Sequence, residues 1–74
     1  MEYVIVIFKD DRELVIDGET QGRTNQVIEL EGGTHIITLK APPSDFRPEE
    51  GVMILLEGTT AISPKEVRYE KVES

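Results

Sequence analysis

The sequence predicts an all-β fold: a small antiparallel, β-sandwich-like domain of five to seven strands, with a short C-terminal helical turn as the one alternative element. Two observations carry this expectation. Val, Ile and Thr supply 7, 8 and 6 residues, so 21 of 74 are β-branched, while alanine occurs only at Ala41 and Ala61. Branching at Cβ stiffens χ1 and suits a pleated surface better than a helix interior. The apolar residues also fall in short runs or strict alternation, broken by glycine and proline. A chain of 74 residues fits a single domain spanning 1–74, and one this short buries only about 60% of its unfolded surface, which leaves little core for a deep pocket.

Glu2–Lys9 (EYVIVIFK) holds six consecutive apolar residues between charged ends. Its length and branching predict a strand covered on both faces. Asp10–Asp11–Arg12 reads as a turn into Glu13–Asp17, where Leu14 and Ile16 share a face, so the first two strands are expected to form a hairpin. Asp17–Asn25 (DGETQGRTN) reads as a long turn region with glycines placed for positive φ. Gln26–Glu31 alternates, with Ile28 and Leu30 inward. Gly32–Gly33 then leads into Thr34–Lys40, where His35, Ile37 and Leu39 share a face. Two alternating runs about a Gly-Gly loop predict an antiparallel hairpin, with Ile28, Leu30, Ile37 and Leu39 in the core.

Ala41–Gly51 (APPSDFRPEEG) reads as loop, because Pro42, Pro43 and Pro48 remove backbone donors. Phe46 is expected to fold back as a plug on the core. Val52–Leu56 (VMILL) is a second run apolar on both faces and is expected beside the first strand. Residues 64–72 carry opposing signals. Ser63–Pro64–Lys65–Glu66 has a cap serine, proline at N1 and a capping-box glutamate. Val67 and Tyr69, however, share a face only in a strand. A strand with one turn near Pro64 is the primary expectation, and a short helix the alternative.

The order of several of these segments resembles the PEGA domain, a small all-β module. The matching stretches are Leu14–Gly18 (LVIDG), Gly22–Asn25 (GRTN), Val27–Leu30 (VIEL) and Gly33–Leu39 (GTHIITL), with Phe46 where that family often carries an aromatic. Asn25 stands in place of the family's proline after Gly-x-Thr, and Asp10–Asp11–Arg12–Glu13 stands in place of the Pro-Glu-Gly-Ala signature. The resemblance implies a sandwich-like scaffold that serves as an accessory or interaction module and brings no catalytic residues.

Charge and residue inventory narrow the chemistry. Eight bases against fifteen acids give a net charge of −7, spread along both halves of the chain. Such a field repels phosphate backbones and anionic headgroups, so neither nucleic acid nor a membrane is an expected partner. The absence of cysteine removes thiol chemistry and Cys-type zinc sites. Ser44, Ser63 and Ser74 lie in no nucleophile-elbow pattern, and the glycines lack the following Lys and helix of a phosphate loop. His35, the one imidazole, is expected to be half-buried and structural, bonded to the Gly32–Gly33 turn. Asp10, Asp11, Glu13, Asp17 and Glu19 lack an EF-hand pattern and are expected to bind calcium only weakly. No catalytic, cofactor-binding or metal-ligating residue is therefore assigned, and no cofactor is expected.

The functional expectation is a noncatalytic structural or protein-interaction module, not an enzyme. Its contact surface, to a second copy or another protein, would be the apolar strand 3–8 or 52–56. The alternative is a small-ligand or cation-binding accessory domain using the polar 19–25 segment: Thr20, Gln21, Arg23, Thr24 and Asn25. Glu2 and the charges after the first apolar run fit no signal peptide, which makes the cytoplasm the expectation for a chain complete as it stands.

Overall fold

The computed structural model describes residues 1–42 and 44–72; the loop reading of Pro43 and the exclusion of Ser74 as a nucleophile lie outside these. Nine strands follow in order: β1 Glu2–Ile7, β2 Glu13–Ile16, β3 Glu19–Arg23, β4 Val27–Leu30, β5 Gly33–Leu39, β6 Phe46–Arg47, β7 Val52–Leu56, β8 Lys65–Arg68 and β9 Glu70–Lys71. They form three separate sheets, β4-β1-β8, β3-β2-β5-β7 and β6-β9. The all-β class holds. The expected five to seven strands and the C-terminal helical turn do not, since there are nine strands in three sheets and no helix among the described residues.

Alternation decides which side chains enter the core. Val4, Val6 and Phe8 point inward from the first segment, Leu14 and Ile16 from β2, Leu30 from β4, Ile37 and Leu39 from β5, and Ile54 and Leu56 from β7. Phe46, Val67 and Tyr69 complete one cluster, with Ile28 and Val52 packed at its edge. Thus Leu30, Ile37 and Leu39 lie in the core as expected, and Ile28 is partly buried. Phe46 also enters the core as expected, but from β6 and not from irregular loop.

The pairings differ from those expected. β4 pairs antiparallel with β1, and β5 pairs antiparallel with β2 and β7. The Gly32–Gly33 connection is therefore a corner between two sheets and not a hairpin. Alternation cannot separate the two arrangements, because both keep Ile28, Leu30, Ile37 and Leu39 on the inner side. The same applies at Asp10–Arg12: β1 lies between β4 and β8, while β2 lies between β3 and β5. β7 lies beside β5 and not beside β1.

The hairpin in this part of the chain is β2–β3. Ile16 and Glu19 are register partners, and Asp17 and Gly18 between them both have positive φ (52° and 86°). Asp-Gly is a favoured pair for such a two-residue turn. A register shift interrupts the pairing between Glu13 and Val15. Gly22, opposite this irregularity, also has positive φ (75°), and a Cβ there would stand 2.6 Å from Ile28 Cδ1.

At the other end the helix signal is used differently. Ser63 N–H donates to the Thr60 carbonyl (3.1 Å) and hydroxyl (3.0 Å). The segment before it is tied to β1, since Tyr3 N–H donates to Thr59 Oγ1 (2.6 Å) while Glu2 Oε1 accepts from Thr59 N–H (2.8 Å) and Oγ1 (2.7 Å). The chain then runs parallel to β1 as β8. In that geometry Val67 and Tyr69 both enter the core, which a helix would have prevented. Burial of two large side chains outweighs one turn's capping, which is typically worth about 1 kcal/mol.

Candidate functional site

His35 shares the inward side of β5 with Ile37 but lies near the sheet's end. Its Nδ1 is 2.6 Å from Asp17 Oδ2, and its Nε2 is 2.7 Å from the Glu31 carbonyl. The turn contact is therefore to Glu31, next to the expected glycines. Both partners are acceptors, so the geometry suits a ring that donates from both nitrogens, the imidazolium. The Asp17 carboxylate, then the Glu31 carbonyl, raise the His35 pKa above its ordinary value, against partial desolvation. Asp17 is held low by the Ile36 N–H (2.9 Å to Oδ1) and then by His35. The pair ties the β2–β3 turn to the start of β5, and neither residue lines the cleft bordered by Arg12, Arg23 and Lys40.

A measurable pH dependence follows. A group whose pKa is raised by folding stabilises the native state below its unfolded value, and that contribution is lost as pH rises through the folded pKa. Thermal stability should therefore fall as pH rises from about 6 through the elevated His35 pKa. Asp17 acts at the opposite limb, losing its contribution as pH falls below the carboxylate range. His35→Gln should flatten the upper limb. NMR titration of the imidazole checks the assignment directly; a midpoint at or below about 6.5 would contradict it.

The acidic residues do not converge. Asp11 accepts from Arg23 Nε (2.9 Å), Glu13 lies within 4.0 Å of Arg23 and 3.7 Å of Lys40, and Asp10 pairs with Lys71. Asp17 is committed to His35 and Ile36, and Glu19 lies exposed on β3. No group of three or more His, Asp or Glu placed to hold a metal occurs among the described residues.

The polar 19–25 segment likewise divides. Thr24 is buried; its Oγ1 accepts from Arg12 N–H (2.9 Å) and donates to the Asp10 carbonyl (2.7 Å). Asn25, with φ 63°, donates from Nδ2 to the Phe8 carbonyl (2.9 Å), accepts from Phe8 N–H (3.2 Å), and donates its own N–H to the Val6 carbonyl (2.7 Å). These two residues lock the β1–β2 corner. Thr20, Gln21 and Arg23 remain exposed, on an edge strand. Arg23 also borders an open cleft of about 330 Å³ with Arg12 and Lys40, where Arg23 pairs with Asp11 and Glu13, Lys40 with Glu13, and Arg12 with Asp45.

What remains is an apolar surface. Ile36, Met53 and Leu55 are 48%, 70% and 59% exposed on the outer side of the β5–β7 pair, where Ile36 and Met53 are register partners. The hydrogen-bond phase of β5 adds to this. Ile36 exchanges bonds with Asp17, since Asp17 N–H donates to the Ile36 carbonyl (2.9 Å) and Ile36 N–H to Asp17 Oδ1. Backbone groups of alternate residues point to opposite neighbours in an antiparallel ladder. His35 and Ile37 therefore face β7 and bond Ile54 and Val52, while Met53 and Leu55 direct N–H and C=O away from β5. β7 is the last strand of its sheet. The two most exposed side chains of the strand thus belong to the residues with outward backbone groups.

The first apolar run presents a different surface. Tyr3, Ile5 and Ile7 lie half-buried on the outer side of β1, but both edges of that strand are occupied by β4 and β8. β1 can offer a face only, whereas β7 offers a face and an edge. Among the described residues no helix is long and apolar enough to cross a membrane. Comparison with protein-family models, with curated proteins and with solved structures returned no match for this chain.

Proposed function

We propose that this protein is a noncatalytic protein-interaction module that contacts its partner through strand β7, in line with the role implied by the PEGA-domain resemblance. One observation carries the reading: Met53 and Leu55 combine exposed apolar side chains with outward backbone groups at a sheet edge. An uncovered, apolar edge strand is a template for strand addition, in which main-chain bonds supply affinity and alternate side chains supply selectivity. The residue inventory supports the same reading, because His35, Asp17, Asp11 and Asp10 are engaged in holding turns and corners together.

Amide hydrogen exchange tests the reading. In the free protein Met53 and Leu55 amides should exchange rapidly while Val52, Ile54 and Leu56 are protected. Self-association at millimolar protein, or addition of a neutral Val-Thr alternating peptide, should slow Met53 and Leu55 selectively, and Leu55→Lys should abolish that effect. Sedimentation equilibrium separates self-association from peptide binding. If Met53 and Leu55 amides are unaffected by both, the interaction role of β7 is wrong.

A further inference from the structure

We infer that the segment accepted by β7 is a heterologous extended strand, apolar at alternate positions and flanked by lysine or arginine, and not a second copy of this chain. The inference rests on the interaction reading above and adds the chemistry of the partner. Charge around the edge supplies the argument. Glu49 and Glu50 precede β7 after one intervening glycine, Gly51, and Glu57 follows it directly. At the C-terminal end of the strand, Leu56 is the register partner of Gly33, two residues after Glu31. All four carboxylates are on exposed residues, and among the described residues only Glu49 has an ion pair, with Arg47 at 3.9 Å. The outer side of β5 between them carries Thr34, Ile36 and Thr38 and no charge. The edge is thus an apolar centre with acid at both ends.

A second copy meets this pattern poorly. The antiparallel self-pairing that keeps the phase of the outward groups and centres on Ile54 places Met53 opposite the partner copy's Leu55, which joins the apolar centres. The same register places Gly51 opposite the other copy's Glu57, with Glu50 as its neighbour, so carboxylates cluster at both ends with no base between them. Like charges directly across or diagonal in a sheet are destabilising, and each chain already carries −7. A strand of alternating Val and Thr with paired lysines at each end reverses that sign at both ends. Charge complementarity of this kind mainly sets encounter rate and selects among partners.

The test uses the intact chain and three synthetic peptides that share a Val-Thr-Val-Thr-Val centre and carry Lys-Lys, Ser-Ser or Glu-Glu at both ends. At low ionic strength the lysine peptide should bind about tenfold or more tightly than the glutamate peptide, and raising salt should shrink the difference. Binding should slow exchange of the Met53 and Leu55 amides. Glu50→Gln with Glu57→Gln, both on exposed residues, should shrink the preference for the lysine peptide over the glutamate peptide severalfold. Equal binding of all three peptides at Met53 and Leu55 would overturn the charge-selective inference and leave the interaction reading intact. A β7-mediated dimer in sedimentation equilibrium that excludes the peptides would do the same. Absence of any protection at Met53 and Leu55, by peptide or by self-association, would remove both.

Discussion

Ile37→Ala should destabilise the domain by about 2–5 kcal/mol, the usual range for truncating a fully buried isoleucine whose neighbours cannot close the space. Ile37 is wholly buried on β5 and is flanked in register by Ile16 on β2 and Val52 on β7. Its carbonyl also accepts from the Tyr69 hydroxyl (2.5 Å), so a shift of the strand would strain a buried polar contact from the C-terminal segment. Domains of ordinary stability have about 5–15 kcal/mol in hand, and a chain of this size belongs at the lower end. The loss should therefore appear as a large unfolded population in mild urea. Ile36→Ala supplies the contrast. It alters the adjacent residue of the same strand, but its side chain is 48% exposed on the outer side. Its cost should stay within about 1 kcal/mol. Equal costs for the two variants would refute the inward and outward assignment of β5, and with it the exposed face attributed to Ile36, Met53 and Leu55.

How far the sequence discloses this architecture depends on the kind of signal each segment carries. Strand identity is well marked in VIEL, THIITL and VMILL because alternation or branching is dense there. Partner choice is not. Gly32–Gly33 satisfies a hairpin and an inter-sheet corner equally, and the two differ only in the long-range pairing of β4 with β1 and of β5 with β2 and β7. β3 was illegible for a different reason: Glu19–Arg23 contains no apolar residue and is exposed throughout, so it has no hydrophobic period to read. Its signal lies next to it, in Asp17–Gly18, whose Asp-Gly pair specifies a tight hairpin turn. That pair marks the connection although the strand beyond it is silent.

The candidate site follows the same division. The apolar character of Val52–Leu56 is plain in the sequence, but an apolar run on both faces does not say which face is covered. The exposed side emerges only from pairing with β5, which turns Ile54 and Leu56 inward and leaves Met53 and Leu55 outside. Thr24 and Asn25 present the opposite case. As sequence they belong to a polar set suited to a ligand; in the fold one is buried and the other bonds three backbone groups across the β1–β2 corner. Asparagine tolerates positive φ and hydrogen-bonds nearby backbone, so its place just before β4 was the readable hint of a structural role.

Phe46→Ala should have a comparable effect, about 3–5 kcal/mol, because it removes a buried aromatic ring that joins two otherwise weak elements. β6 and β9 are two-residue strands that pair Phe46 with Lys71 and Arg47 with Glu70. A ladder so short contributes little by itself. Its anchor is the ring, which meets Tyr69 edge-on at 5.8 Å and 75° and lies 5.6 Å from the Arg12 guanidinium. Aromatic pairs of this geometry add about 0.5–1.5 kcal/mol beyond the area they bury. Around the ring, Asp45 accepts from Arg12 (2.6 Å) and lies 3.1 Å from Lys71, while Val72 N–H donates to the Asp45 carbonyl (2.8 Å). Arg12, and then Lys71, hold the Asp45 carboxyl below its usual range. Removal of the ring should loosen this cluster, so the Val72 amide should lose exchange protection and the Asp45 pKa should return toward the ordinary carboxylate value. Phe46→Leu should retain most of the stability, because it keeps apolar volume while losing the aromatic contacts. Urea denaturation gives the stability loss, residue-resolved exchange the Val72 protection, and NMR pH titration of the Asp45 carboxyl its pKa. A cost under about 1 kcal/mol, with Val72 still protected, would show that the C-terminal strands are held by their backbone bonds and ion pairs without the Phe46 ring.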